Sequence, residues 1–162
     1  MVRIEGEVVI NRPVDEVFDF VADERNEPRY NPHMSCVDQV SAGPIGEGTR
    51  FLAEGKLMGR TVDTTIEYTA YERPRLLAST SQSVVRLIKP MPTNIHGAIT
   101  FDPVPQGTRM RWSWDVETRG ALRLMSPMVA GAGRHQEQAM WTNLKNLLEV
   151  RELAASVGTG GM

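Results

Sequence analysis

The residues with the most chemical content lie on one short segment. Trp112 and Trp114 alternate with Arg111, Ser113 and Asp115, and Met110 and Val116 continue the apolar phase. A period of two puts both indoles on one face of a strand and the charges on the other. Two indoles on one sheet face form an aromatic wall for a flat apolar ligand, or plain core packing. Tyr68 shares a face with Val62, Thr64 and Ile66 on a second alternating run. There its hydroxyl either orients a ligand carbonyl or phenol, or reaches water. In the C-terminal third, Gln136 falls in one helical sector with Val129, Gly133, Met140, Leu144 and Leu147, at about 100° per residue. A buried amide without partners costs about 1–3 kcal/mol. Gln136 in that sector calls for a ligand, a water or a protein partner, the alternative being a side chain turned to solvent. Asn143 stands at the sector's edge, and Arg151 near the helix end snorkels outward.

Candidates for acid–base work are thin. His96 suits proton transfer near neutral pH. Alternation, however, puts it with Asn94, Ala98 and Thr100, opposite the apolar Ile95, Ile99 and Phe101. Glu54 and Asp63 also alternate outward, His33 follows Pro32 in a loop, and His135 falls on the outer side of the helix. No catalytic residue is assigned. No His/Asp/Glu spacing matches a metal site, and no nucleophile elbow or phosphate loop is present. The single cysteine, Cys36, rules out an internal disulfide and a cysteine-rich zinc site, and is expected as a small hydrophobe in the core. Neither metal nor cofactor is expected.

These residues need elements to hold them. The 162 residues, 41% hydrophobic and 23% charged, suit one packed domain. With 18 basic and 20 acidic residues, a charge of −2 gives no reason to expect nucleic acid or an anionic membrane as partner. No apolar run approaches the roughly 20 residues that span a bilayer, and the N-terminus lacks a signal peptide's apolar segment, so the expected location is cytoplasmic. A first strand covers residues 3–10. Asn11 is a candidate N-cap for a short helix with Pro13 in its first turn, and Asp23 caps a second short turn before Pro28. Strands follow over 36–40, 49–56, 60–71, 76–81, 95–101 and 108–118, with 83–88 as an extension or an excursion. Two prolines make 89–92 a loop. After an apolar turn at 121–125, a long helix runs from about Met128 to Ser156, and residues 157–162 form a flexible tail behind a domain of residues 1–156. The fold class is α+β: a curved antiparallel sheet of about seven strands around one long C-terminal helix, with two short helices after strand 1. A curled sheet need not close on its helix, and the gap is a cavity.

The chain resembles the polyketide cyclase/dehydrase and lipid-transport group of the START-like, Bet v 1-like (helix-grip) superfamily. The resemblance is carried by Asn11-Arg12-Pro13-Val14-Asp15-Glu16-Val17-Phe18, Tyr30-Asn31-Pro32, Gly46-Glu47-Gly48-Thr49-Arg50-Phe51, Phe101-Asp102-Pro103 with Gly107-Thr108-Arg109-Met110, and the closing helix through Asn143-Leu144-Lys145-Asn146-Leu147-Leu148-Glu149. It covers residues 2–152. Tyr30 stands where such chains commonly carry Trp, at the mouth of the cavity. The resemblance implies a helix-grip fold and a cavity for a lipid-like, aromatic or polyketide-like molecule. The expected lining is Phe51, Tyr68, Met110, Trp112, Trp114, Val129, Gln136 and Met140, with a mouth at the short helices and the Gly43–Gly48 turn. Binding or carriage of a hydrophobic ligand leads. A cyclase or dehydratase needs an ionisable pair inside the cavity within hydrogen-bond reach. A third reading is an interaction module without ligand, monomeric or a homodimer through an edge strand or residues 87–92.

Overall fold

The computed structural model describes residues 1–88, 90–117, 124 and 126–159, with side chains at all of these but 91, 126, 129 and 152–159. Strand β1 (Val2–Ile10) leads into helix α1 (Val14–Ala22) and a 3₁₀ helix (Glu24–Arg29). Six strands follow: β2 (Met34–Gln39), β3 (Arg50–Leu57), β4 (Arg60–Glu72), β5 (Leu76–Val85), β6 (Met91–Val104) and β7 (Gly107–Val116). Helix α2 (Ser126–Thr159) closes the chain and takes in residues 157–159 of the segment read as a tail. The sheet order is β1-β7-β6-β5-β4-β3-β2, and every pairing is antiparallel. The expected turn at 121–125 lies outside the described residues except for Leu124.

Alternation sets the sheet's two faces. In β1, Val2, Ile4, Val8 and Ile10 are buried and Arg3 and Glu5 exposed. In β7, Met110 and Trp112 are buried, while Arg111 is exposed and bonds Glu7 across the β1–β7 pair. The buried face meets α2 through Met140, Trp141, Leu144 and Leu148, which join Phe18, Phe51, Phe101 and Met110 in one core. Phe18 packs edge-on against Phe101, with ring centroids 5.0 Å apart. Burying such side chains contributes about 1.5–3 kcal/mol each before entropy is subtracted.

Three local expectations are corrected. Residues 91 and 92 are strand, not loop: Pro92 pairs with Val84, and Pro103 pairs with Thr108 near the other end of β6. Both prolines fit because β6 is paired on one side only at these points. Its pairing with β7 runs between Ile95 and Val104, and its pairing with β5 between Met91 and Thr100. A missing N–H therefore costs no ladder bond on the open side. Cys36 is exposed, because a register shift between Met34 and Cys36 in edge strand β2 turns Val37 inward instead. Asn11 does not cap α1: Pro13 occupies the cap position with no side-chain bond. Asp23 does cap the 3₁₀ helix, accepting from the Arg25 N–H at 3.1 Å.

Candidate functional site

A cavity of about 300 Å3 lies between α2 and the inner face of the sheet. Its apolar wall is Ile4, Ile66, Ile95, Ile99, Trp114 and Val116 from the sheet, Val21 from α1, and Met140 and Trp141 from α2. Ser79, Ser81 and Ser83 of β5 and Thr64 of β4 form a hydroxyl-bearing floor, with Thr64 and Ser83 hydrogen-bonded at 2.8 Å. Glu24, Glu27, Tyr30 and Asn31 line it from the 3₁₀ helix and the turn behind it, Met34 from β2, and Gln136 and Glu137 from α2.

Three of the expected lining residues border the cavity: Trp114, Gln136 and Met140. Gln136 is exposed and stands at the rim. Phe51 and Met110 are wholly buried in the core instead. Trp112 is in the core too, its ring lying where a Cβ on Gly6 would stand and packing 5.7 Å from the Trp141 ring. Alternation gave Trp112 and Trp114 the same face but not the same depth. The Trp112 N–H is buried without a partner among the described residues. Tyr68 is 1% exposed, and its hydroxyl neither meets the cavity nor reaches water. It lies 2.7 Å from the Ala22 carbonyl oxygen and 3.0 Å from Glu24 Oε1, stacking edge-on with Phe51. The side chain of Val129 lies outside the described residues. No residue of the Gly43–Gly48 turn is among those lining the cavity. His96 faces outward, 3.8 Å from Asp115, and Arg86 on the outer face holds both Asp63 and Glu54.

The carboxyl groups of the cavity were missed. Glu137 heads the stripe Glu137, Trp141, Leu144 and Leu148, whose spacing of four, three and four marks one helix face. Its Oε2 accepts the indole N–H of Trp141 at 2.9 Å and of Trp114 at 3.2 Å. Burial nevertheless pushes its pKa up to about 7, the two indole bonds opposing. Glu24 is pushed well above the ordinary carboxyl range by burial first, then by the charge of Glu27 and a hydrogen bond with it. Glu27 Oε1 accepts from Asn31 Nδ2 at 2.8 Å. Tyr30 is 4% exposed, and burial followed by Glu27, Glu24 and Glu137 holds its phenol protonated. The arrangement supplies what the thin list of acids and bases lacked: an ionisable pair and a carboxyl poised near neutrality, inside a mostly apolar space. No group of three His, Cys, Asp or Glu side chains among the described residues could hold a metal ion.

The sequence matches the family described as polyketide cyclase/dehydrase and lipid transport over residues 1–149. The chain belongs to this family. No curated protein matches it. Among solved structures, a protein from Thermus thermophilus is similar at 19% identity and a TM-score of 0.71, over 95% of this chain and 99% of that one. A conserved protein from Geobacillus kaustophilus is similar at 14% identity and a TM-score of 0.76, over 91% and 95%. A START superfamily protein from Mycobacterium smegmatis is similar at 13% identity and a TM-score of 0.66, over 91% and 97%. At these identities the likeness concerns the fold, which is the START-like helix-grip fold. No helix among the described residues is long and apolar enough to cross a membrane.

Proposed function

We propose that this family member binds and carries a small, mostly apolar molecule between its sheet and its C-terminal helix. The cavity carries the reading: about 300 Å3 bounded by isoleucines, Val116, Met140 and Trp114. Apolar area removed from water contributes roughly 25 cal/mol per Å2 to binding. The volume stands at the small end of ligand pockets. It suits a one- or two-ring molecule or a short chain, and is too small for a diacyl lipid. Native mass spectrometry of gently purified protein tests the reading, because a retained ligand adds its own mass. A Ser81→Phe variant puts a ring on the cavity floor and is expected to abolish that added mass while leaving the circular dichroism spectrum unchanged. No adduct in the wild type, together with no change of tryptophan emission across a panel of apolar compounds, would count against it.

A second reading has one observation in its favour. Glu137, poised near neutral pH and held by two indoles, has the properties of a general acid or base. A dehydratase, or a cyclase whose aldol product goes on to lose water, would leave different molecules in the wild type and in Glu137→Gln, separated by the mass of one water. Identical retained masses argue against dehydration, and identical chromatographic retention of the released molecules argues against ring closure as well.

A further inference from the structure

Glu24, Glu27 and Glu137 meet at one end of the cavity, and no basic side chain among the described residues meets them. Among the described residues that line it there is no lysine, arginine or histidine. Arg25, beside Glu24 in sequence, is held by both oxygens of Asp23, and Arg29 lies over the Phe20 ring. Glu137 takes both indole bonds on Oε2, and its Oε1 has no partner among the described residues. Tyr30, at 4% exposure, lines the same end, and its hydroxyl has no hydrogen-bond partner among the described residues. The ring of Tyr30 lies 5.7 Å from that of Trp141. Trp114 completes an aromatic border around the carboxyls.

We propose that this end of the cavity receives the positively charged nitrogen of an organic amine, whose apolar body lies against Ile66, Ile95 and Ile99. A carboxylate in an apolar space must be protonated or paired with a cation, and the described residues supply no cation here. Aromatic faces attract an ammonium group and repel an anion. Unengaged oxygens at Glu137 and Tyr30 leave acceptors for its N–H groups. A metal ion is disfavoured by the absence of a ligating trio among the described residues. The inference deepens the binding reading and rests on it.

Burial outweighs the opposing Tyr68 bond at Glu24 and the opposing indole bonds at Glu137, so both carboxyls end above their ordinary range. Glu24 is raised by burial, Glu27 and Asp23, with Tyr68 opposing; Glu137 is raised by burial and Glu27. Tyr30 stays neutral. Without a cation Glu24 and Glu137 retain protons, so a permanent cation must displace them and binds better as pH rises.

Isothermal titration with three probes tests this: 2-phenylethylamine, trimethyl(2-phenylethyl)ammonium and the uncharged 2-phenylethanol. At pH about 8 at least one of the two cations is expected to bind about tenfold or more tighter than the alcohol. At pH about 5.5 the preference of a permanent cation shrinks several-fold, while the alcohol's affinity holds. Glu137→Gln and Glu27→Gln each reduce the preference without weakening the alcohol. If the alcohol binds as tightly as both cations, or the preference ignores pH and both variants, the amine inference falls and the binding reading stands. If no probe binds, the amine inference falls too, and native mass spectrometry decides the binding reading separately.

Discussion

Trp141 donates its indole N–H to Glu137 Oε2 across one turn of α2, at 2.9 Å, and Trp114 of β7 reaches the same oxygen at 3.2 Å. One carboxyl oxygen thus ties the helix to the sheet at the edge of the cavity. Two donors lower the cost of its charge, but burial raises that cost further, and the group settles at a pKa of about 7.

Stability is expected to fall as pH rises through the interval from 4.5 to about 7. Unfolded, Glu137 ionises at its ordinary 4.5; folded, it keeps its proton to about 7. Between these values the native state binds more protons than the unfolded one, so raising the pH favours unfolding. The full effect is about 3 kcal/mol, at roughly 1.4 kcal/mol per pH unit. Glu24 acts in the same direction. The ion-paired Asp19, Asp63 and Asp115 act oppositely, and only as pH falls below 3.8. Urea unfolding between pH about 5 and about 8 should show this decline, and Glu137→Gln should flatten much of it. An equally steep decline in the variant would remove Glu137 as its source.

Tryptophan emission should titrate with a midpoint near 7, because two of the three indoles bond the group that ionises. Trp114→Phe removes one donor to the carboxylate, so the midpoint should move upward. Glu137→Gln should abolish the transition. A midpoint that stays in place in Trp114→Phe would mean that the Trp114 bond does not form in solution.

Tyr68 and Glu24 share a proton arrangement that pH should disturb. The phenol has one proton, and the Ala22 carbonyl can only accept. Both contacts, at 2.7 and 3.0 Å, are satisfied together when Glu24 carries its own proton. Tyr68→Phe leaves the Ala22 carbonyl and Glu24 without this partner, and should cost about 1–3 kcal/mol in denaturant unfolding. A loss well under that range would show that water replaces the phenol.

The sheet was legible because a period of two needs only a few residues to declare itself, as from Met110 to Val116 and from Val62 to Tyr68. The carboxyl end of the cavity was not. Glu24 and Glu27 stand on a six-residue 3₁₀ helix with Pro28 inside it, too short to show a face. Glu137 was hidden by the choice of helix stripe. The sector drawn through Gln136, Met140 and Leu144 is centred to one side of the buried line, which runs through Met140, Trp141, Leu144 and Leu148, so it took in the exposed Gln136 and left out Glu137. Depth was unreadable for a different reason. Trp112 and Trp114 have equivalent places in the alternation, and only the packing of Trp112 over Gly6 and against Trp141 separates core from cavity wall.

Gly97 gives Trp114 its place on that wall. The two residues pair across β6 and β7, and a Cβ on Gly97 would stand 2.8 Å from Trp114 Cε3 and 1.9 Å from the Ser113 carbonyl oxygen. A side chain can swing away, but a backbone carbonyl in a central strand pair cannot move without opening the ladder. Gly97→Ala is therefore expected to destabilise by about 1–3 kcal/mol or more, as overpacking does. It should also displace the Trp114 ring and weaken its bond to Glu137. Denaturant unfolding reads the first effect, and the pH midpoint of tryptophan emission, moved upward as in Trp114→Phe, reads the second. An alanine variant with wild-type stability and an unchanged midpoint would show that β6 and β7 are spaced more widely at this pair than the structure has them.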